Sequence, residues 1–434
     1  MTSTVDLRTA PDGPRPAKTR RIHPAWFVAA VAFVAIIGSA GFRATVGVLI
    51  NPLEAEFGWS HGAISAAVSV NLLLFGLTAP FAAALMDRFG VRRVVSVALL
   101  LVSAGSGLTV FIGQSWQLLL CWGVLVGLGT GSMALVFVAT VTGRWFVARR
   151  GLISGVLTAA GATGQLIFLP VLAKLATEQG WRTVSLTVSA AALAVVPLVV
   201  WWLRNHPADL GVPPYGATEV VPAPPPSRGA ARRTIAVLSH ASRRGTFWLL
   251  AGGFFICGAS TNGLIATHLI PAAHDHGMPE TTAAGLLALA GVFDVVGTTI
   301  SGWLTDRYDS RALLGVYYAL RGLSLLVLPS LIAATVRPSL WIFIIFYGLD
   351  WIATVPPTMA LCRQHFGADA PIVFGWVFAA HQVGAAVAAT SAGVVRDLRG
   401  EYDLAFVVAG VLCLFAAVMS VRISRSPALG AGTV

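Results

Sequence analysis

The chain has 434 residues, 56% of them hydrophobic and 11% charged, with a mean hydropathy of +0.79 and a formal net charge of +11. So much apolar surface excludes a soluble globular protein, and runs of about 20 apolar residues match the thickness of a bilayer core. Backbone inside a bilayer must satisfy its own hydrogen bonds, so helices are expected; barrel-length strands of alternating apolar and polar residues are not found.

In chain order, residues 1–25 form a polar tail holding Pro11, Pro14 and Pro16. The apolar run after it is too long for a signal-peptide core and lacks a clear cleavage site, so it is read as a retained first helix. Membrane spans are predicted at 26–50, 62–86, 93–113, 116–142, 150–174 and 183–203. After a polar stretch, six more are predicted at 246–271, 282–304, 312–335, 338–362, 371–394 and 403–423, followed by a tail at 424–434. The outer stretch from Asn51 to His61 holds Pro52 and Gly58, which suit a helix end and a turn. Spans 4 and 5 carry Gly123, Gly127, Gly129, Gly131, Gly151, Gly155, Gly161 and Gly164, which let helix backbones approach closely in lipid. Cys121, Cys257, Cys362 and Cys413 lie within spans without CxxC spacing and read as packing residues, not as disulfides or metal ligands. The break at 204–245 contains Pro207, Pro213, Pro214, Pro222 and the run Pro224-Pro225-Pro226, then Arg228, Arg232, Arg233, Arg243 and Arg244. It reads as a flexible cytoplasmic linker between spans 1–6 and 7–12.

The basic residues orient the chain. With the N-terminus inside, the outer loops keep only Lys174, Arg182, Arg337, Arg396 and Arg399, and most other Lys and Arg fall in cytoplasmic segments. That positive-inside bias places both termini in the cytoplasm and the protein in the plasma (inner) membrane. It also explains the net charge without a nucleic-acid partner. A short basic turn occurs twice, half a chain apart: Asp87-Arg88 with Arg92 after span 2, and Asp306-Arg307 with Arg311 after span 8. A carboxylate there can satisfy free helix N–H groups, and Arg can pair with it or with exposed carbonyls. The repeat implies an all-α membrane protein of twelve transmembrane helices in two pseudo-symmetric six-helix bundles, 26–203 and 246–423.

With these turns, the chain resembles the major facilitator superfamily over essentially its whole length. The resemblance implies that the two turns belong to cytoplasmic gating machinery. The first copy departs from the pattern, with Ala83 at the opening glycine and Val91 interposed before Arg92. A narrower resemblance is to the monocarboxylate-porter branch, including oxalate–formate antiporter relatives. Gly41-Phe42-Arg43 with the stretch from Asn51 to Ser60 carries it, as do Arg144-Trp145-Phe146 with Arg149-Arg150-Gly151, and Val292-Phe293-Asp294. It implies a cationic residue at Arg43 and a cavity-lining aspartate at Asp294. The arginine such porters place four residues later is here Thr298.

A charge at bilayer depth costs about 2.5–3.5 kcal/mol on insertion scales, so Arg43, Asp294, Arg321 and Asp350 each need a partner or a role. Arg43 can hold a carboxylate through two hydrogen bonds, or else snorkel to the outer water. Asp294 is expected to couple transport to protons, the alternative being a permanently ionised structural acid. Arg321 is expected in a buried pair with Asp350 or Asp294. Asn71, Gln165, Asn262, His268, Tyr347, His381 and Gln382 are candidates to complete a cavity, although each type is more often an interhelical hydrogen-bond partner. His381 stands out because it exchanges a proton near neutral pH. His274-Asp275-His276 is read as a loop, with no metal. No Walker loop, GxSxG elbow or HExxH occurs, so the expectation is neither an enzyme nor a cofactor-dependent protein.

These residues lead to a secondary transporter of a small organic solute, a monocarboxylate-type anion moved with H+ by alternating access. A monomer is compatible with that reading. Two alternatives stand beside it: an exporter of drugs or metabolites in the same superfamily, and a membrane sensor or scaffold. The sensor is disfavoured because neither tail has room for a signalling domain.

Overall fold

The computed structural model describes residues 22–59, 61–222 and 229–425; within them the side chains of 42–48, 50, 51, 61–63, 65, 66, 169, 173, 280, 281 and 397 lie outside the description. The first six long helices are α1 (Pro24–Phe57), α2 (His61–Phe89), α3 (Val91–Leu108), α4 (Ser115–Trp145), α5 (Arg150–Gln179) and α6 (Trp181–Trp202). The linker contributes a helix at Ala230–Ala241. Then come α7 (Gly245–Asp275), α8 (Glu280–Thr305), α9 (Ser310–Leu331), α10 in two pieces (Pro338–Asp350 and Val355–Phe366), α11 (Ala370–Arg399) and α12 (Asp403–Val421). Among the described residues, eleven stretches are long and apolar enough to cross a membrane. The longest, Pro338–Arg396, folds back at Gly367–Asp369 and supplies both α10 and α11, which makes twelve.

The helix ends follow local chemistry. α1 opens at Pro24, whose missing N–H falls where no intrahelical acceptor exists, while His23 Nδ1 accepts from Ala25 N at 3.2 Å. α1 does not stop at Pro52 as expected but runs to Phe57 and closes on Gly58 in the left-handed region, φ 65°. Its extra turns are held from α6: Glu56 accepts from Trp181 Nε1 and from Arg182 Nη2, each at 2.6 Å. Three helices depart from α geometry. α4 widens to a π stretch over Leu119–Val126 and α7 over Ala259–Ile265. α10 breaks at Trp351–Thr354, just before Pro356 and Pro357, which lack N–H groups and disfavour helix in the residue ahead of them.

In the first half α1 packs on α5, α2 on α4 and α3 on α6. In the second, α7 packs on α11, α8 on α10 and α9 on α12; between the halves α2 meets α11 and α5 meets α8. Every pairing recurs six helices later, which is the three-dimensional form of the repeated turn. At the α5–α8 crossing a methyl group added to Gly155 would lie 2.5 Å from Thr298 O, and one on Gly151 would collide with Gly302 O, so only glycine permits this approach.

The face bearing residues 203–244 is called the linker face here. The expectation of a flexible linker needs correction along most of its described length. Pro207–Leu210 forms a 3₁₀ turn, and Tyr215 N donates to Trp145 O at 2.8 Å while Tyr215 O accepts from Val147 N at 2.8 Å. The Tyr215 ring packs against His23, Trp26 and Phe146. The helix Ala230–Ala241 buries Ala230, Thr234, Val237 and Ala241, a stripe of helical period that its neighbouring arginines hide in a hydropathy reading. The proline run at 224–226 lies outside the described residues.

Candidate functional site

Titratable side chains share one depth in the second half. Asp294 in α8, Arg321 in α9 and His381 in α11 each lie eleven residues from the linker-face end of their helix. At 1.5 Å per residue that is about 16 Å. Arg321 is 0% exposed, and its Nε donates to Asp350 Oδ2 at 2.6 Å. Its Nη2 donates to the carbonyls of Asp350 and Trp351, the latter at 3.1 Å, and its Nη1 meets Cys257 Sγ at 3.0 Å. Of the two acids expected as its partner, the pair is therefore with Asp350. Asp294, also buried, accepts from Thr298 Oγ1 at 2.8 Å and from Ile352 N at 3.0 Å. Thr298, one helical turn on, thus serves the aspartate.

Several candidate cavity residues are engaged in satisfying irregular backbone. Asn71 Nδ2 donates at 2.7 Å to Trp122 O, a carbonyl in the π stretch of α4. Tyr347 OH donates at 2.9 Å to Ser260 O in the π stretch of α7. Both are buried, and both supply hydrogen bonds that bilayer interior cannot. His268 Nε2 is 2.9 Å from Ala389 O and packs on Tyr402. The His274-Asp275-His276 stretch, expected as a loop, instead closes α7: Asp275 is its last residue and pairs with Arg396 of α11 at 3.0 Å, and His276 Nδ1 contacts Ala272 O at 2.8 Å.

Gln165, Asn262, Gln382 and His381 are less committed. Gln165 is exposed; it shares an α5 face with Thr158 and Gly161, between the sides that meet α1 at Gly164 and α8 at Leu166, while Ile167 and Val171 point outward. Asn262 is exposed on the π stretch of α7. Gln382 is half-buried, its stem lying against Gly76 where α2 crosses α11. The buried His381 packs between Phe254, at 4.9 Å, and Phe378, at 5.8 Å, and its Nδ1 has no hydrogen-bond partner among the described residues. Phe378 in turn meets Phe75 of the other half at 5.3 Å, so His381 sits directly above an inter-half contact. Arg43 lies in α1, but its side chain falls outside the described residues.

The two basic turns are built differently. Asp306 accepts from Gly151 N at 2.6 Å and Leu152 N at 2.9 Å, so a carboxylate of the second half caps the first turn of α5 in the first. Asp87 instead pairs with Arg144 at 2.6 Å and with Arg233 of the linker helix at 2.8 Å. Arg233 also reaches Asp369, between α10 and α11, at 3.0 Å. Arg88 and Arg307 lie over Phe89 and Trp303. Arg92 N donates to Asn205 Oδ1 at 3.1 Å, and Arg311 pairs with Asp309 at 2.6 Å and reaches Ile423 O at 3.0 Å. The Arg311 guanidinium holds the Asp309 carboxyl below its ordinary range. A hollow of about 510 Å³ between Arg149, Leu152, Trp303, Asp306 and Arg307 lies on this face, away from the mid-depth residues.

Sequence reading missed Arg144, Arg233 and Asp369 on the linker face and Ser301 and Trp351 at the break. The Pro356-Pro357 pair was the available signal for the break; nothing local marks Asp369 as an ionic partner. The described inter-half contacts run from the linker face (Asp306 with α5, Phe81 with Trp376, Gly375 against Pro80) through mid-depth (Phe75 with Phe378) to Leu166 beside Gly291.

Two equivalent six-helix halves in contact around buried mid-depth polar groups define a membrane transporter of the two-bundle type. The profile of the Major Facilitator Superfamily matches residues 31–389 and 271–432, and the chain belongs to that family. It is a transporter and not an enzyme. It is 27% identical over 399 residues to an uncharacterized MFS-type transporter, YcxA, of Bacillus subtilis (strain 168), covering 91% of this chain and 94% of that protein. It is 28% identical to monocarboxylate transporter 13 of Rattus norvegicus, covering 90% of this chain and 86% of that one, and 28% identical to human monocarboxylate transporter 11, covering 92% and 83%. Among solved structures, the Escherichia coli fucose:proton symporter FucP superposes with a TM-score of 0.68 at 16% identity, covering 93% of this chain and 99% of that one. The proton:xylose symporter XylE gives 0.68 at 14%, covering 92% and 96%. Both likenesses establish the fold.

Proposed function

We propose that this protein is a secondary active transporter that moves a small monocarboxylate-type anion together with H+, its linker face on the cytoplasmic side of the plasma membrane. The observation that carries the reading is Asp294. It is a buried mid-depth carboxyl whose described hydrogen-bond partners, Thr298 and Ile352 N, are neutral, while the neighbouring cation Arg321 is taken by Asp350. An intramembrane acid so placed can load and release a proton as water reaches it from one side and then the other. The kinship with monocarboxylate transporters over some nine-tenths of the chain supports the anion class. Arg43 is assigned to hold the carboxylate, with Gln165, Asn262, Gln382 and His381 completing the cavity and His381 sharing in proton handling. Asn71 and Tyr347 support the cavity walls.

The test is uptake of radiolabelled L-lactate, pyruvate and oxalate into proteoliposomes with and without an inward proton gradient. The expected result is gradient-driven accumulation of one of them. Asp294→Asn should abolish accumulation while preserving exchange of internal for external anion. Failure of every organic anion to accumulate under any gradient would refute the substrate class, and normal transport by a folded Arg43→Gln protein would refute the role of Arg43.

A further inference from the structure

The break in α10 is fully tied down. Residues 350–354 form one interrupted turn, and each is held from a neighbouring helix. Arg321 of α9 takes the carbonyls of Asp350 and Trp351; Asp294 of α8 takes Ile352 N; Ser301 of α8 donates to Ala353 O at 2.5 Å; Cys257 of α7 meets Thr354 Oγ1 at 3.3 Å. A backbone carbonyl left without a partner at this depth costs several kcal/mol, so these ties decide whether the bend persists. Trp351 stands at its centre. It follows the buried Ile344 and Tyr347 on one side of the helix, opposite the outward-facing Ile342, yet it is itself only half-buried, so its open edge faces the interior.

We propose that Arg321 is a positioning residue for transport: it fixes the bend of α10 and thereby places Trp351 and the outer piece Pro338–Asp350 around the cavity. Its complete burial keeps it from touching solute. A planar guanidinium can serve a carboxylate and two carbonyls at once, which a lysine ammonium cannot match in geometry. A mere counter-ion for Asp350 would need only the charge. The proposal rests on the transport reading above, but the distance test below registers whether or not lactate is carried, so the two fail separately.

In the full-length protein in lipid nanodiscs, spin labels at Ile342, on the outer piece of α10, and Val316, on α9, report the bend; labels at Val97 and Leu193 in the first half serve as a control. All four positions are exposed. Wild type should give one narrow distance. Arg321→Lys, which keeps the charge pair, and the R321M/D350L double variant, which removes both buried charges, should each shift or broaden the α10 distance. The expected change is about 4 Å, the swing of Ile342 for a bend altered by 20°. The control should stay unchanged. Wild-type distances in both variants would overturn the proposal, as would an equal change in the control pair, which would mean that Arg321 stabilises the whole fold and positions nothing in particular.

Discussion

Arg321 and Asp350 are bound to each other by burial as much as by charge. Replacing only Asp350 with alanine leaves a guanidinium in an apolar interior, which should destabilise the protein by roughly 3–5 kcal/mol relative to wild type. Unfolding midpoints of the two proteins in detergent check this, and similar midpoints would contradict it. Asn71→Leu removes the partner of Trp122 O in the π stretch and should cost about 0.6–2 kcal/mol in the same assay, without touching solute selectivity. At the outer end of α1, Glu56 is exposed to water and its carboxyl is held low, first by the hydrogen bond from Arg182 and then by that from Trp181. A carboxyl lowered on folding stabilises above its unfolded value and loses that contribution as pH falls through the folded one. The tether between α1 and α6 should therefore be intact at neutral pH and loosen in acid, and Glu56→Gln should remove the acid-dependent part of hydrogen exchange there. The sequence displayed the chemistry of these residues but not their employment. Asn71 and Tyr347 resembled ligand groups because hydropathy does not reveal where a helix will widen and leave a carbonyl needing a donor. That Arg321 would be buried in an ion pair was legible because a charge at that depth needs a counter-charge, but whether Asp350 or Asp294 supplies it was not.

Among the elements, the linker helix and the α5–α8 crossing are the parts that must change when the halves separate at the linker face. Arg233 joins Asp87 of one half to Asp369 of the other while riding on a third element. Partly exposed pairs of this kind contribute about 0.2–1 kcal/mol each and are screened by salt. Arg233→Gln should therefore shift the balance between the closed and opened linker face several-fold and leave the fold intact, with the effect shrinking at high salt. Crosslinking yield between cysteines placed at Phe81 and Trp376 measures that balance, and an unchanged yield would argue against the bridge. Gly155→Val should act more severely, because its side chain would enter the space of Thr298 O. The helix Ala230–Ala241 escaped the sequence reading for a physical reason: its buried stripe is small and includes Thr234, so the arginines beside it dominate the composition.

At the scale of the molecule, the two repeated halves are parallel copies, so helix ends at the linker face in one half correspond to helix ends at the same face in the other. The pairing of α2 with α11 has its image in α8 with α5. This level was the most legible from sequence, because bilayer thickness fixes helix length and the repeated Asp-Arg turn marks the duplication. The candidate cavity was the least legible, since exposure toward an interior and exposure toward lipid look alike in a hydropathy profile; Gln165 and Ile167 are two residues apart, both exposed, on opposite sides of α5. The access of Gln165 tests the account most directly. With cysteine at that position in oriented vesicles, a membrane-impermeant thiol reagent should modify it from the side opposite the linker face, and addition of the transported anion should expose it to the linker side in turn. Modification from the linker side alone, or from both sides at once, would contradict a cavity closed by the contacts of Asp306, Phe378 and Arg233.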